Sequence, residues 1–302
     1  MVKILATDGI ESSAAKALTD LGFEVTQQFY DENELPAKAA GYDVVVVRSA
    51  TKIRKPVIDE AAKTGKLKLV IRGGVGIDNI DAVYAREKGI EVQNTPLASS
   101  ASVAELVIGH MFSLARFIYD ANVTMRDGKW EKKRYEGIEL AGKTLGLIGF
   151  GRIGRCAAKM AAALGMNVIY HDITGHKPEN DPFKFVALDE VFAQSDFISL
   201  HVPKTDAPIV TADAIAKMKN GVFIINTSRA ATIDTQALLK ALDSGKIAGA
   251  GLDVFDEEPI KDPAVYKHPK ISMTPHIGAS TKEAQSRIGD DIVSIISDKF
   301  KK

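Results

Sequence analysis

The sequence predicts an α/β protein made of two doubly wound parallel sheets, one smaller than the other. Three observations carry this. Short apolar runs alternate with helical stretches from residue 2 to 95, the same alternation resumes from 144 to 274, and Asn94-Thr95-Pro96 interrupts the two. Strands that repeat with helices between them build parallel sheets covered on both faces, and a residue that precedes proline is pushed out of helical space. At 302 residues the chain has room for two domains.

In the first part, residues 2–6, 24–28, 44–48, 67–72 and 91–93 read as strands, with helices over 12–21, 56–64 and 80–88. Val44-Val45-Val46-Val47 is apolar throughout, as a strand covered on both faces requires. The loop from Gly73 to Asp78 follows a strand and offers bare backbone N–H groups, including those of Val75 and Gly76, at the carboxyl end of the sheet, where open α/β sheets bind ligands. Residues 102–125 read as one long helix with apolar positions at Val103, Leu106, Val107, Met111, Leu114, Phe117 and Ile118. Its length suggests that part of it packs on a second subunit. A turn with the only tryptophan, Trp130, leads into the charge run Glu131-Lys132-Lys133-Arg134.

The second part opens on the most informative stretch. Leu145 to Ile148 reads as a buried strand, Gly149, Gly151 and Gly154 follow in G-x-G-x-x-G spacing, and an Ala-rich helix comes next. The first glycine permits the tight turn, the second lets a pyrophosphate approach the backbone, and the third lets helix and strand pack closely. The phosphates would meet free N–H groups at the positive end of the helix. A further β-rich run, 167–170, closes on Asp172, 23 residues beyond Gly149. A carboxylate at that distance binds an adenosine ribose diol and repels a 2′-phosphate, which favours NAD over NADP. Strands over 145–149, 167–171, 197–202, 222–226, 249–253 and 271–274, then a terminal helix over 280–300, complete the pattern. The expected division is a substrate domain of flavodoxin-like type over 1–95, completed by 280–302, and a Rossmann NAD-binding domain over 96–279.

Three strand ends carry candidate chemistry: Arg229, Glu258 and His276. Arginine binds a carboxylate through its planar fork, and histidine is suited to exchange a hydroxyl proton near neutral pH. A carboxylate beside it would fix the ring's tautomer. With a nicotinamide, these three groups suffice to oxidise a 2-hydroxy acid. No metal cluster is called for, and His110, His171, His176 and His268 carry no assigned role.

Lys and Arg together number 39, as do Asp and Glu, so the formal charge is zero and nothing favours a general nucleic-acid or acidic-membrane binder. Cys156 is the single cysteine, which excludes an internal disulfide and fits a reducing, cytoplasmic setting. No signal-peptide layout is present at the start of the chain.

From end to end the chain resembles the D-isomer-specific 2-hydroxyacid dehydrogenases, and within them the members that oxidise D-3-phosphoglycerate. The glycine motif and Leu252-Asp253-Val254-Phe255 with Glu258-Pro259 mark the wider family. Val47-Arg48-Ser49-Ala50-Thr51-Lys52, Gly76-Ile77-Asp78-Asn79, Asn94-Thr95-Pro96, Asp127-Gly128-Lys129-Trp130, Gly142-Lys143-Thr144-Leu145-Gly146 and the run from Pro275 to Arg287 carry the narrower likeness. The resemblance implies Arg229 as the arginine for the substrate carboxylate, Glu258 as the partner of His276, and His276 as the acid/base. It implies Arg152 and Ile153 along the pyrophosphate, Asp172 at the ribose, and Val202 and Pro203 at the adenine. It places Thr227, Ser228, Asp253 and Gly278 at the nicotinamide end. Val75 and Gly76 would serve the substrate carboxylate and Arg48 its phosphate. A homodimer through the NAD-binding domain is expected, with Lys132, Lys133 and Arg134 reaching the partner's phosphate site. Ala230-Ala231 departs from the Gly-Gly that relatives commonly carry after the arginine. Nothing follows Lys302, so no C-terminal regulatory domain and no serine feedback are expected. Two readings compete with phosphoglycerate oxidation: another 2-hydroxy acid such as glyoxylate, hydroxypyruvate or D-lactate, and an NAD(H)-sensing scaffold.

Overall fold

A computed structural model describes residues 1–176 and 182–301. The chain folds into two compact units, Met1–Ser99 with Ala279–Lys302, and Ser100–Gly278.

The first unit contains β1 (Lys3–Ala6), α1 (Ser12–Asp20), β2 (Glu24–Gln27), α2 (Leu35–Ala39), β3 (Val44–Val47), α3 (Lys55–Thr64), β4 (Leu69–Arg72), α4 (Ala82–Glu87) and β5 (Glu91–Asn94). Its strands are all parallel, in the order β2-β1-β3-β4-β5, which is the flavodoxin-like order. The four valines of β3 are buried, so this central strand is covered on both faces as its composition demands. One face carries Val45, Val47, Val57, Ile58, Ala61 and Val70. The other carries Val44, Val46, Leu69 and Ile71 with Ile288, Ile292 and Ile296. Those isoleucines come from the C-terminal helix, which therefore completes the core of the N-terminal sheet.

The second unit contains α5 (Ser100–Arg116), α6 (Ile118–Arg126), β6 (Thr144–Ile148), α7 (Arg152–Ala163), β7 (Asn167–His171), β8 (Lys184–Phe185), α8 (Leu188–Gln194), β9 (Phe197–Leu200), α9 (Ala212–Lys217), β10 (Val222–Asn226), α10 (Thr235–Ser244), β11 (Ile247–Leu252), α11 (Pro263–Tyr266) and β12 (Ile271–Met273). The C-terminal helix of the first unit is α12 (Lys282–Phe300). The parallel order β12-β11-β10-β9-β6-β7-β8 reverses direction at β6, the first strand of the unit in sequence. That is the Rossmann arrangement, and ligands bind beyond the carboxyl ends of strands where the order reverses.

The expected helix over 102–125 is two helices. Phe117 adopts φ 52°, and α5 and α6 bend by 64° there. The Ala115 carbonyl accepts from the Ile138 N–H, and a Cβ on Gly137 would lie 2.2 Å from the same oxygen. Chain returning from the 130s therefore occupies the end of α5, where a continuing turn would run. Phe117 turns toward Tyr135, ring centroids 5.9 Å apart. No single helix among the described residues is long and apolar enough to cross a membrane.

Candidate active site

The glycine loop is built as its spacing requires. Gly149 has φ 93°, and a Cβ there would lie 2.5 Å from the His201 carbonyl; one on Gly154 would lie 2.5 Å from the Gly149 carbonyl. Side chains are excluded at both positions by backbone, which seats α7 directly on the turn. Around Gly151 there is open space, and this N-cap residue has no side chain to satisfy the first N–H groups of α7. The bare, positively polarised helix end suits a pyrophosphate. Arg152 and Ile153 form the first turn, Arg152 exposed and Ile153 half-buried.

Asp172, at the end of β7, is tied to this loop. Its Oδ2 accepts from the Phe150 N–H at 2.8 Å, and its Oδ1 accepts from the N–H and hydroxyl of Thr174 at 2.9 and 2.7 Å. The carboxylate is thus held at the tip of the glycine turn. Across the loop, Val202 and Pro203 follow β9. His201 beside them donates or accepts at Nε2 with Ser199 Oγ, 3.0 Å away. Burial pushes its imidazole down to about 4, so the ring is neutral at physiological pH.

A second group of strand ends assembles the reactive side chains. His276 and Glu258 meet, with Nδ1 2.7 Å from Oε2, and Glu258 Oε1 accepts from the Phe255 N–H at 3.2 Å. Burial pushes the Glu258 carboxyl up, but the His276 hydrogen bond, the charges of His276 and Arg229, and the Phe255 N–H together hold it below the ordinary carboxylate range. With Nδ1 engaged by a carboxylate, Nε2 is the ring nitrogen left to exchange a proton. Both side chains remain about a third open to solvent, 35% and 38%, as groups that meet a substrate must.

Arg229 follows β10, and its loop is organised by a residue with no assigned role in the sequence reading. Asn226, 1% exposed, donates to the Arg229 carbonyl at 2.9 Å and to Thr232 Oγ1 at 3.2 Å. Its Oδ1 accepts from the N–H and hydroxyl of Ser228 at 3.0 and 2.8 Å. One buried amide therefore closes the loop Thr227-Ser228-Arg229 on itself. The only signal in the sequence is a polar residue closing the apolar run Phe223-Ile224-Ile225. Ala230 and Ala231 lie in a short 3₁₀ turn without positive φ, so their methyl groups bring no backbone strain. Thr227 Oγ1 is buried with no hydrogen-bond partner among the described residues.

Asp253, 1% exposed, turns both oxygens toward the His276 loop. Oδ1 accepts from Thr274 Oγ1 at 2.6 Å and the Ile277 N–H at 2.8 Å, and Oδ2 from the Gly278 N–H at 2.9 Å. Among the described residues, no group of three or more His, Cys, Asp or Glu side chains is placed to hold a metal.

The remaining expected residues fall into two places. In the first unit, Asp8 Oδ2 accepts from the N–H groups of Arg48 and Thr51 at 2.6 and 3.1 Å. Asn79 donates to the carbonyls of the same two residues, both at 2.7 Å. This fixes the backbone of the loop, while the Arg48 guanidinium makes no hydrogen bond or ion pair among the described residues. Val75 and Gly76 lie on the loop after β4, where the Val75 carbonyl accepts from Asn94 Nδ2 at 2.5 Å. In the second unit, Lys132, Lys133 and Arg134 form an exposed 3₁₀ turn. Arg134 pairs with Glu131 at 2.9 Å.

The chain is similar in sequence and structure to known proteins. Residues 108–278 match the model of the D-isomer specific 2-hydroxyacid dehydrogenase NAD binding domain. The chain is 48% identical over 301 residues to a hydroxypyruvate reductase of Thermotoga maritima, covering 97% of each. It is 45% identical over 307 residues to a D-3-phosphoglycerate dehydrogenase of Methanocaldococcus jannaschii, covering 100% of this chain and 57% of that one. The chain thus spans nearly all of the first relative and little more than half of the second. The crystal structure of a glyoxylate reductase from Paecilomyes thermophila superposes with a TM-score of 0.88 at 34% identity, covering 99% of this chain and 96% of that one. The chain belongs to the D-isomer specific 2-hydroxyacid dehydrogenase family. It is an NAD-dependent dehydrogenase of D-2-hydroxy acids.

Proposed function

We propose that this protein oxidises D-3-phosphoglycerate to 3-phosphohydroxypyruvate, the entry reaction of phosphorylated serine biosynthesis. The supporting observation is the Arg48 loop. Asp8 and Asn79 secure its backbone, and the guanidinium is left without a hydrogen bond or ion pair among the described residues. A cation held at a loop and not neutralised by its own chain is suited to a phosphate ester.

When bound, NAD would supply the hydride acceptor for C2 of the substrate. His276 Nε2 takes the hydroxyl proton, since Nδ1 is committed to Glu258, and Glu258 stabilises the imidazolium that forms. Arg229 binds the substrate carboxylate and polarises the developing carbonyl. Val75 and Gly76, on the loop after β4, are assigned with Arg48 to substrate binding, and the first unit is accordingly the substrate domain. Gly149, Gly151, Arg152, Ile153 and Gly154 would hold the pyrophosphate, and Asp172 the ribose. Val202 and Pro203 would line the adenine, and Thr227, Ser228, Asp253 and Gly278 the nicotinamide end.

The reading includes a cytoplasmic homodimer formed through the second unit. In support, α6 buries none of its residues and exposes Ile118, Tyr119 and Met125, each more than half open to solvent. Lys132, Lys133 and Arg134 follow it and are assigned to the partner's phosphate site.

A second reading is reduction of hydroxypyruvate, the same carbon skeleton without the phosphate; the 48% identity with the full-length hydroxypyruvate reductase favours it. NADH absorbance with purified protein separates the two. The expected result is a kcat/KM at least tenfold higher for phosphorylated than for unphosphorylated 2-hydroxy and 2-oxo acids. The reverse order overturns the phosphate assignment in favour of the second reading, and absence of turnover with any member of the panel overturns both.

A further inference from the structure

His110 takes no part in the chemistry described above, yet it is 2% exposed and joined by hydrogen bonds to the loop that carries His276. Glycines in β11 bring it there. A Cβ on Gly249 would lie 2.9 Å from Leu114 Cδ2, and one on Gly251 would lie 2.7 Å from His110 Cβ. Helix α5 therefore lies directly against the strand, and the imidazole reaches the end of β12. There His110 Nε2 is 3.1 Å from Thr274 Oγ1 and Nδ1 is 3.0 Å from Ser272 Oγ.

The ring's tautomer follows from its neighbours. Thr274 has one hydroxyl proton, and it points to Asp253 Oδ1 at 2.6 Å. Toward His110 the Thr274 oxygen is then an acceptor, so Nε2 carries the hydrogen. Burial lowers the His110 pKa by more than the charge of Asp253 raises it. The ring is neutral near pH 7, and bare Nδ1 accepts from Ser272. Beyond Asp253 the chain of bonds continues to the N–H groups of Ile277 and Gly278, the two residues after His276. His276 itself has φ 51°, a backbone conformation that persists in a non-glycine residue only where its surroundings hold it.

We infer that His110 and Thr274 are positioning residues of the dehydrogenase reaction. With Asp253 they form a buried relay that sets the backbone of His276 so that its imidazole meets the substrate hydroxyl. The inference rests on His276 being the proton acceptor. Displacing a reacting group by an ångström costs up to about a hundredfold in rate, and a partly relaxed loop costs less.

The test compares His110→Met, which removes both hydrogen bonds, with His110→Gln, which can keep the donor to Thr274, and Thr274→Val with Thr274→Ser. Steady-state kinetics and thermal melting are measured on each. His110→Met and Thr274→Val should each lower kcat about tenfold while KM for NAD stays within twofold. The double variant should fall little further than either single one, because both break one relay. Ser at 274 and Gln at 110 should recover most of the loss, which a purely packing role would not produce. Wild-type kcat in a folded His110→Met, equal kcat for Val and Ser at 274, or fully multiplicative losses each overturn the relay. If His110→Met does not fold, the Val and Ser pair decides. His276→Gln is measured alongside: full turnover there overturns the assignment of His276, whereas its loss together with unaffected relay variants overturns the relay alone.

Discussion

Replacing Glu258 with glutamine preserves the size of the side chain and a neutral acceptor for His276 Nδ1 and removes one negative charge. The bond at stake is 2.7 Å long. Hydrogen bonds to charged groups contribute about 1.5–3 kcal/mol against about 0.5–1.5 for neutral pairs, so the imidazolium formed during oxidation loses about 1–1.5 kcal/mol of stabilisation. At about 1.36 kcal/mol per tenfold, kcat should fall roughly five- to thirteenfold. The side chains are 35% and 38% open to solvent, and screening by water places the expected value at the lower end. Stability changes with the opposite emphasis. The Glu258 carboxyl titrates lower in the folded protein than in the unfolded chain. It therefore contributes stability above the unfolded carboxylate pKa, and this contribution is lost as pH falls through the folded value. For a pair this exposed it amounts to less than about 1 kcal/mol. At neutral pH the glutamine variant should thus melt within a few degrees of wild type while its kcat drops. Steady-state NADH formation measures the rate, and thermal melting the stability. Unchanged kcat would remove Glu258 from the mechanism.

Asp172→Asn should narrow the preference for NAD over NADP, measured as the ratio of kcat/KM values, because the charge that repels a 2′-phosphate is gone. Equal efficiency with both cofactors in the unaltered protein refutes that role. Arg48→Ala should raise KM for phosphoglycerate by about ten- to a hundredfold, from a lost charged hydrogen bond of about 1.5–3 kcal/mol, and leave KM for D-glycerate near its original value. Equal changes for the two substrates detach Arg48 from the phosphate. Gly251→Ala would place a methyl group 2.7 Å from His110 Cβ and 2.9 Å from Ile225 Cδ1. Overpacking of this kind costs about 1–3 kcal/mol, so the melting temperature should drop by several degrees, and an unchanged value would show that α5 can shift off the strand.

Elements whose stability is local were legible in the sequence. The four valines of β3 and the run into Gly149 announce buried parallel strands because a strand covered on both faces has no polar positions. Asp172 was legible because a short crossover fixes how far the second strand end lies from the glycine turn. The break at Phe117 was not, since helical periodicity continues through it, and the groups that end α5 come from residues 137 and 138. Strand β8, two residues long with Lys184 exposed, has too few side chains to show a period, and α2 is only five residues. Within the site, spacing presented Arg229, Glu258 and His276 as candidates at strand ends but gave no sign that Glu258 and His276 bond. Asn226 and His110 went without roles for a different reason. Asn226 acts on backbone it precedes by only a few residues, which a sequence does not display, and His110 meets Thr274 across 164 positions of chain.

Helix α6 buries no residue, and a nine-residue helix has little stability by itself in water. Its connection to the rest of the unit includes the Tyr135 hydroxyl bonds to the Asp120 carbonyl and Thr124 Oγ1, 3.2 and 3.1 Å long. Ile118, Tyr119 and Met125 stay more than half exposed within the chain, so a cover from outside it would add free energy that keeps the segment wound. If the cover is a second copy, winding and association are one equilibrium governed by mass action. The amide protons of residues 118–126 would then exchange faster on dilution while those of the buried strand β6 would not. In that case the helix is a gauge of protein concentration.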